Sequence, residues 1–174
     1  MRSVVIALLD KAPRRVVALI SLVCVAMLAF GMYLQHSKGL EPCPMCIVQR
    51  YALIFVAFTA GLIAISGKKS IQIFGTLLML AGACFGAFVA ARQSWLQWYP
   101  PEVATCGRDF YGMVEDFPLN RAIPMIFKGG GDCSAVDWTF LGGSIANWSL
   151  LSFTMFGILA LLLTWRLAKR PLNP

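Results

Sequence analysis

The chain has 174 residues, a length that suits one compact unit better than two. Hydrophobic residues make up 59% of it, charged residues make up 13%, and its mean hydropathy is +0.73. Because soluble domains carry about a quarter charged residues, we expect a single membrane domain over residues 1–174, embedded in the lipid bilayer. The formal net charge of +7 comes from basic residues scattered around apolar blocks, without an aromatic-interleaved basic stripe. A nucleic-acid partner is therefore not expected.

Four apolar segments are long enough to cross a bilayer as helices. They run over about 16–34, 47–66, 71–91 and 145–165. The first is too long for a cleaved signal peptide and has no small-residue cleavage site before the polar stretch that follows. The third contains Gly75, Gly82 and Gly86, small residues that suit close helix packing. The sequence predicts an all-α membrane protein, a four-helix transmembrane bundle.

Basic residues are distributed unevenly around these segments. Nine of the 15 Lys and Arg residues precede the first segment, fill the 67–70 link or follow the fourth, with Asp10 as the only acid there. The other two loops, at about 35–46 and 92–144, together with Arg50 just inside the second segment, hold six basic and seven acidic residues. Since Lys and Arg accumulate in short cytoplasmic loops, we expect both termini in the cytoplasm and these two loops outside.

Most of the six cysteines lie in the two outer loops. These are Cys43, Cys46, Cys106 and Cys133. They share the oxidising side of the membrane, where disulfides persist. Cys24 and Cys84 lie inside apolar segments, where a free cysteine is usually a small packing residue.

Cys43 and Cys46 form a Cys-x-x-Cys pair within Pro42-Cys43-Pro44-Met45-Cys46. Zinc is not expected, because the other two outer cysteines are 27 positions apart and His36 is the only histidine. A disulfide between residues three apart closes almost no loop and so stabilises little. A reactive role is therefore favoured over a structural one.

Cys46 directly precedes the apolar run of the second segment, so we expect it at a helix N-terminus, where the helix dipole favours a thiolate. Arg50 follows one turn later on the same helix face. Its alternative role is to reach the outer headgroups from within the span. Together the two residues indicate a site for an electron-accepting group at the membrane edge.

Cys106 and Cys133 flank a segment rich in Pro, Gly and charge, which predicts a mobile loop with little regular structure. A structural disulfide between them is one interpretation, and thiol–disulfide exchange with the first pair is the other. The amphipathic stretch 135–141 predicts a short interfacial helix that would hold Cys133 near the first pair.

Taken in order, these motifs resemble those of the DsbB family, bacterial inner-membrane proteins of disulfide-bond formation. The resemblance covers essentially the whole chain, including the four spans and the placement of both cysteine pairs. The matching stretches are Gln35-His36, Pro42-Cys43-Pro44-Met45-Cys46, Arg50, Leu96-Gln97-Trp98-Tyr99-Pro100, Ala104-Thr105-Cys106, Gly131-Asp132-Cys133 and Trp138-Thr139-Phe140-Leu141-Gly142.

The resemblance implies a quinone-dependent thiol oxidase of the inner membrane with periplasmic redox loops. Such an enzyme reoxidises a DsbA-like thioredoxin-fold protein and passes the electrons to ubiquinone or menaquinone. By the same resemblance, Cys106 forms the mixed disulfide with the partner, Cys133 is its mate, and Cys43 exchanges with Cys133. Cys46 would form a thiolate–quinone charge-transfer pair, and Arg50 would support the quinone.

One position departs from the pattern. Some members of the family carry a histidine linked to the quinone site where Gln93 stands here. Gln93 can donate a hydrogen bond to a quinone carbonyl but has no titrating proton to supply. His36 lies in the first outer loop and suits an interfacial polar role.

Two alternatives remain open from the residues. A vitamin K epoxide reductase-like enzyme is also a small helical bundle with a Cys-x-x-Cys, but in that family the quinone-proximal pair comes late in the chain. A four-span scaffold with two inert disulfides would not be an enzyme. Three of the four spans contain no Asp, Glu, Lys or Arg, so a conduction path is not indicated.

Overall fold

Four long helices dominate the computed structural model, which describes residues 13–100, 124, 127 and 131–169. They are α1 (Pro13–Lys38), α2 (Pro44–Ile65), α3 (Lys69–Trp98) and α5 (Ile145–Lys169). Between α3 and α5 lie the short helix α4 (Gly131–Ser134) and the strands β1 (Thr139–Phe140) and β2 (Gly143–Ser144). All four long helices are long and apolar enough to cross a membrane, which confirms the predicted bundle.

The limits of α3 show where polar residues extend a helix and where proline stops it. The helix continues past the apolar segment through Arg92, Gln93 and Ser94 and ends at Trp98. Pro100 follows two residues later, and the residue before a proline is disfavoured in the helical region. Tyr99 accordingly has φ −128° and ψ 73°, outside that region.

Helices that follow one another along the chain pack together: α1 on α2, α2 on α3, and α3 on α5. Glycines on α3 bring these helices close. A Cβ added to Gly82 would lie 2.6 Å from the Phe55 ring on α2, and one added to Gly86 would overlap the buried Phe153 ring on α5. Larger residues at these two positions would therefore force the helices apart, as expected of small residues in membrane helix interfaces.

Large apolar side chains cover the outside of the bundle. Leu22, Phe58, Phe74 and Leu151, one from each long helix, are each between 60% and 65% exposed. Contiguous apolar surface of this kind is rare on soluble monomers, and a bilayer would cover it. The protein is therefore a multi-pass membrane protein.

Basic side chains gather at one end of the bundle. Arg14 donates from Nε and Nη2 to the carbonyl oxygens of Ala64 and Ile65, at 2.8 and 3.2 Å, and so satisfies the C-terminus of α2. The Nζ atom of Lys169 lies 4.0 Å from the centre of the Trp165 ring. This is the end that the distribution of Lys and Arg predicts to face the cytoplasm.

A β-hairpin stands where we predicted a short interfacial helix, so that prediction is wrong for residues 135–141. Residues 135–138 are irregular, and β1 pairs antiparallel with β2, Thr139 opposite Ser144 and Phe140 opposite Gly143. The connecting residues Leu141 and Gly142 have φ of 50° and 79°. Two positive φ angles in a two-residue loop match the twist of a hairpin, and glycine adopts them without steric cost.

Candidate redox site

Three cysteines meet at the end of the bundle opposite Arg14. The Sγ atoms of Cys43 and Cys46 are 3.0 Å apart, and the side chain of Cys133 is hydrogen-bonded to that of Cys43. Cys43 is 6% exposed and Cys133 1% exposed, and Met45 packs with them in one buried cluster. Cys43 and Cys46 are free thiols in this structure, and Cys133 contacts Cys43. Their contacts allow a sulfur of either outer loop to reach a sulfur of the other.

The start of α2 sets the spacing of the first two sulfurs. Cys43 is the N-cap residue, and its Sγ accepts a hydrogen bond of 3.4 Å from the backbone N–H of Cys46. The helix begins at Pro44, three residues before the predicted segment, because proline lacks only an N–H that the first helical position does not use. Cys46 lies in the first turn, as expected, so the positive end of the helix dipole faces its sulfur.

The two sulfurs of this pair differ in their surroundings. Contact with the Cys133 and Cys46 thiols, together with burial, raises the pKa of the Cys43 thiol far above its ordinary value. Cys43 is therefore held protonated when reduced, and its S–H donates to the Cys46 sulfur. An electron pair released on breaking a Cys43–Cys46 bond is accordingly stabilised on Cys46.

A buried amide lies against both sulfurs. Gln93 of α3 donates from Nε2 to Cys46 Sγ at 3.2 Å and to Cys43 Sγ at 3.3 Å, and it is 4% exposed. Its Oε1 accepts a hydrogen bond of 2.6 Å from Nε2 of Gln49 on α2. The Cys46 thiol also reaches Oε1 at 3.6 Å. Gln93, which we predicted as a quinone ligand, therefore contacts the redox sulfurs directly.

Side chains of the neighbouring helix α1 bind the Arg50 guanidinium group. Its Nη1 donates to Oε1 of Gln35 at 2.7 Å and approaches the sulfur of Met32 at 3.7 Å, both on α1. Arg50 therefore turns toward the inside of the α1–α2 interface, and this position disfavours the alternative in which it only reaches the outer headgroups.

An apolar cavity of about 550 Å³ opens beside these groups. Helices α1, α2, α3 and α5 form its walls, and the 135–140 segment lies along it. The lining residues with polar or reactive side-chain atoms are Gln35, Glu41, Cys43, Cys46, Gln49, Arg50, Gln93, Gln97, Asp137, Trp138, Ser144, Trp148 and Ser149. Aromatic rings border the cavity, with Trp138 5.8 Å from Phe30 and 6.1 Å from Phe140 between ring centres. An apolar pocket with a few convergent polar groups is the usual form of a small-molecule site.

Cys133 is brought to the site by α4, which packs on α3 and α2. Phe127 packs on the Phe88 ring at 5.9 Å between centres, and its carbonyl accepts a 3.2 Å hydrogen bond from Nε of Arg92. Cys133 therefore lies near the first pair, as expected. The helix α4 holds it there, and the hairpin follows α4 in the chain. Cys106, and the predicted mobile segment except for residues 124, 127, 131 and 132, lie outside the described residues.

The remaining residues of interest lie apart from the sulfurs. Cys24 is fully buried in the core between the helices, and Cys84 is exposed on α3. His36 is exposed near the end of α1, with Nδ1 2.9 Å from the carbonyl oxygen of Met32. The structure thus leaves these three residues outside the cysteine cluster.

Comparison with known sequences agrees with this arrangement. A sequence model described as "Disulfide bond formation protein DsbB" matches residues 13–163. The chain belongs to the DsbB family. Several relatives carry the name Disulfide bond formation protein B, and three of them illustrate the similarity. That of Albidiferax ferrireducens is 65% identical over 96% of both chains, that of Acidovorax sp. is 70% identical over 91% of both, and that of Polaromonas naphthalenivorans is 69% identical over 94% of this chain and 97% of the relative.

Membership of the DsbB family assigns the chain to disulfide-bond formation and so makes it a disulfide oxidoreductase of the membrane. The vitamin K epoxide reductase-like alternative and the inert scaffold lose their support with this assignment. The matched residues include all three clustered cysteines, Arg50 and Gln93.

Gln49 was not predicted as a site residue from the sequence. The signal was present, because an amide inside an apolar span three residues after Cys46 is expected to find a hydrogen-bond partner on a neighbouring helix. Gln97, one turn after Gln93, was noted only as part of a matching stretch; it lines the cavity, and its Oε1 accepts a hydrogen bond of 2.6 Å from Ser144 Oγ.

Proposed function

We propose that this DsbB family member is a quinone-dependent thiol oxidase that reoxidises a periplasmic DsbA-like thioredoxin-fold protein. The observation that carries the proposal is the contact of Cys133, Cys43 and Cys46 at the edge of an apolar cavity. A chain of sulfurs in contact permits thiol–disulfide exchange, and a cavity at its end gives room for an acceptor.

In the proposed reaction the partner's thiolate attacks Cys106 of a Cys106–Cys133 disulfide, and Cys133 leaves as a thiolate. Cys133 then attacks Cys43, so the Cys43–Cys133 bond forms, the Cys43–Cys46 bond breaks, and the electron pair goes to Cys46. The partner's second thiol resolves the mixed disulfide and releases Cys106. Attack of Cys106 on Cys133 then restores their disulfide and leaves Cys43 and Cys46 as a dithiol. The partner has lost two electrons and two protons.

The residues around the cavity fit a quinone, either ubiquinone or menaquinone. A flat apolar ring with polar carbonyl groups requires mainly apolar walls and a few hydrogen-bond donors, and Arg50, Gln93 and Gln97 provide those donors among the lining residues. A quinone bound there would accept the two electrons and two protons of the dithiol. Arg50 would orient it, and Cys46 would be the sulfur facing it.

The sidedness of the chain belongs to the same proposal. The redox site lies at the end of the bundle opposite the basic residues Arg14 and Lys169. With those residues in the cytoplasm, as the positive-inside rule predicts, the cysteine cluster lies at the periplasmic surface of the bacterial inner membrane. There it would meet both a soluble dithiol partner and a lipid-soluble acceptor.

The test uses purified protein in detergent with a reduced DsbA-like protein and either ubiquinone or menaquinone. Loss of partner thiols and reduction of quinone are followed together, and we expect them to proceed in a one-to-one ratio of dithiol to quinone. Cys46→Ser should abolish quinone reduction, whereas Cys84→Ser, which changes an exposed thiol away from the cluster, should not. Quinone reduction at the normal rate by the Cys46→Ser protein would refute the mechanism.

A further inference from the structure

The two glutamines beside the sulfurs form an ordered hydrogen-bond chain. Nε2 of Gln49 donates to Oε1 of Gln93 at 2.6 Å, and Nε2 of Gln93 donates to Cys46 Sγ and Cys43 Sγ at 3.2 and 3.3 Å. Gln49 and Gln93 are only 6% and 4% exposed, so water competes little for these bonds. The chain runs in one direction, from an amide on α2 through an amide on α3 to the sulfurs.

The direction of this chain matters because an amide has two different ends. Its NH₂ group donates hydrogen bonds, whereas its oxygen only accepts them. A thiolate is stabilised by the first and repelled by the second. Gln49 Nε2 donates to Oε1 of Gln93, and the NH₂ group of Gln93 lies nearer the Cys46 sulfur, at 3.2 Å, than Oε1 does, at 3.6 Å.

Arg50 is the cation on the same helix, but its side chain donates to Gln35 and Met32 on α1. Among the side chains that the structure describes, those that donate to the Cys46 sulfur are the S–H of Cys43 and the amide of Gln93. A hydrogen bond to a charged group is about twice as strong as one between neutral groups, so the orientation of this amide has a large effect on a thiolate.

We propose that Gln49 is a positioning residue that fixes the Gln93 amide with its donor end toward Cys46. The inference rests on the proposed function in so far as Cys46 is the sulfur released when the Cys43–Cys46 bond breaks. When Cys133 attacks Cys43, the electron pair of the broken bond goes to Cys46, and the amide hydrogen is already in place to receive it. Because the amide does not titrate, this donor is present at every physiological pH.

The experiment measures the alkylation rate of Cys46 by iodoacetamide in the reduced full-length protein, located by tandem mass spectrometry. Gln49→Glu keeps the shape of the side chain but replaces its donor with a carboxylate, which accepts from Nε2 of Gln93 and turns that amide around. Gln49→Met removes the donor without adding charge. We expect Cys46 to react about tenfold more slowly in Gln49→Glu at pH about 7, and several-fold more slowly in Gln49→Met.

The pH profile separates positioning from a general loss of structure. Near pH 10 thiols ionise without assistance, so the rates of the variants and the unchanged protein should converge. Gln72→Glu is the matched control, a buried glutamine at the opposite end of α3 whose Nε2 donates to the Ser66 carbonyl at 3.0 Å. Cys24, which is fully buried, should stay unreactive in every variant whose bundle is intact.

Three results would overturn the proposal. The first is an unchanged alkylation rate of Cys46 in both Gln49 variants. The second is a slower rate in Gln49→Glu alone, which would assign the effect to the new charge. The third is an equally slower rate in Gln72→Glu. The measurement contains neither quinone nor partner protein. It therefore reports on the amide even if the proposed function fails, and the quinone assay of the unchanged protein reports on that function alone.

Discussion

Arg50 and Gln35 join α2 to α1 through one hydrogen bond, from Nη1 to Oε1 at 2.7 Å, at the wall of the apolar cavity. A guanidinium group has five N–H donors in a rigid fork, so a bond to Gln35 orients the fork without exhausting its donors. The position of the arginine is thus set by a residue of the neighbouring helix.

From this contact we predict that Arg50→Met raises the KM for quinone at least about tenfold, the loss expected for one hydrogen bond from a charged donor. Gln35→Leu, which removes only the residue that orients Arg50, should raise it several-fold and leave the KM for the reduced partner unchanged. Steady-state kinetics with varied quinone concentration would measure both. Lys38→Met, which removes an exposed cation at the end of α1, is the control, and an unchanged quinone KM in Arg50→Met would contradict the assignment.

The contact between Cys43 and Cys133 predicts a specific cross-link. With Cys46→Ser and Cys106→Ser combined, mild oxidation should join Cys43 to Cys133 because no other outer cysteine remains to compete. Mass spectrometry of a proteolytic digest under non-reducing conditions would identify the linked peptides. The exposed Cys84 is the internal control and should stay reduced or react only with added thiols. If Cys133 remained reduced while Cys84 was oxidised, the two loops would not meet as the structure has them.

Hydropathy was sufficient to predict the four helices, because a bilayer requires long apolar segments whose backbone groups are paired within each helix. The predicted start of α2 was three residues too late, since proline was treated as opposed to the helix although Pro44 occupies its first position. Residues 135–141 were misread as a helix because their amphipathic pattern is short. The positive φ of Leu141 and Gly142 depends on the hairpin, which Trp148 holds by donating from Nε1 to the Phe140 carbonyl at 2.9 Å.

The hydrogen-bond chain from Gln49 through Gln93 to the sulfurs could not be predicted from the sequence, for a different reason. Gln49 and Gln93 are 44 positions apart, and their contact depends on the rotation of α2 and α3 about their own axes. Periodicity gives the face on which a residue lies within one helix, but it does not give the residue that it meets on another. The Cys-x-x-Cys spacing, by contrast, is local, so the proximity of Cys43 and Cys46 followed directly.

The raised pKa of Cys43 predicts how the stability of the reduced protein depends on pH. Neighbouring thiols of Cys133 and Cys46, and burial, favour the protonated form in the folded state, whereas the unfolded thiol ionises near its ordinary pKa of 9.0. This contribution is therefore fully present below pH about 9 and is lost as the pH rises above it. Thermal unfolding in detergent and a non-thiol reductant, at pH about 8 and about 10.5, should show a larger loss of Tm for the unchanged protein than for Cys43→Ser, because a serine hydroxyl does not ionise. An equal loss in both proteins would contradict the prediction.

Close packing at Gly86 predicts a stability difference between two alanine substitutions. An added Cβ at Gly86 would overlap the ring of Phe153, which is 2% exposed, and overpacking of this kind costs about 1–3 kcal/mol. That cost should exceed the increase in stability of about 1 kcal/mol that is expected when alanine replaces glycine in a helix. Gly157→Ala is the matched control, since its Cβ would meet only the Ala83 methyl at 3.9 Å. We expect a lower Tm in detergent for Gly86→Ala and an equal or higher one for Gly157→Ala, and the reverse order would show that α3 and α5 are not packed so closely.

Sidedness can be tested with two lysines that lie at opposite ends of the bundle. Lys38 ends α1 on the side of the cysteine cluster, and Lys68 precedes α3 at the basic end; both are exposed. In intact cells whose outer membrane has been made permeable, a membrane-impermeant maleimide should modify Lys38→Cys, because the positive-inside rule puts that end in the periplasm. It should not modify Lys68→Cys while the inner membrane is intact. Modification after the inner membrane is broken is the control that the new cysteine can react. The peptide that carries each new cysteine is followed by mass spectrometry, so the native thiols do not interfere. Modification of Lys68→Cys alone would place the cysteine cluster in the reducing cytoplasm, where a disulfide-generating site would have no use for a periplasmic partner.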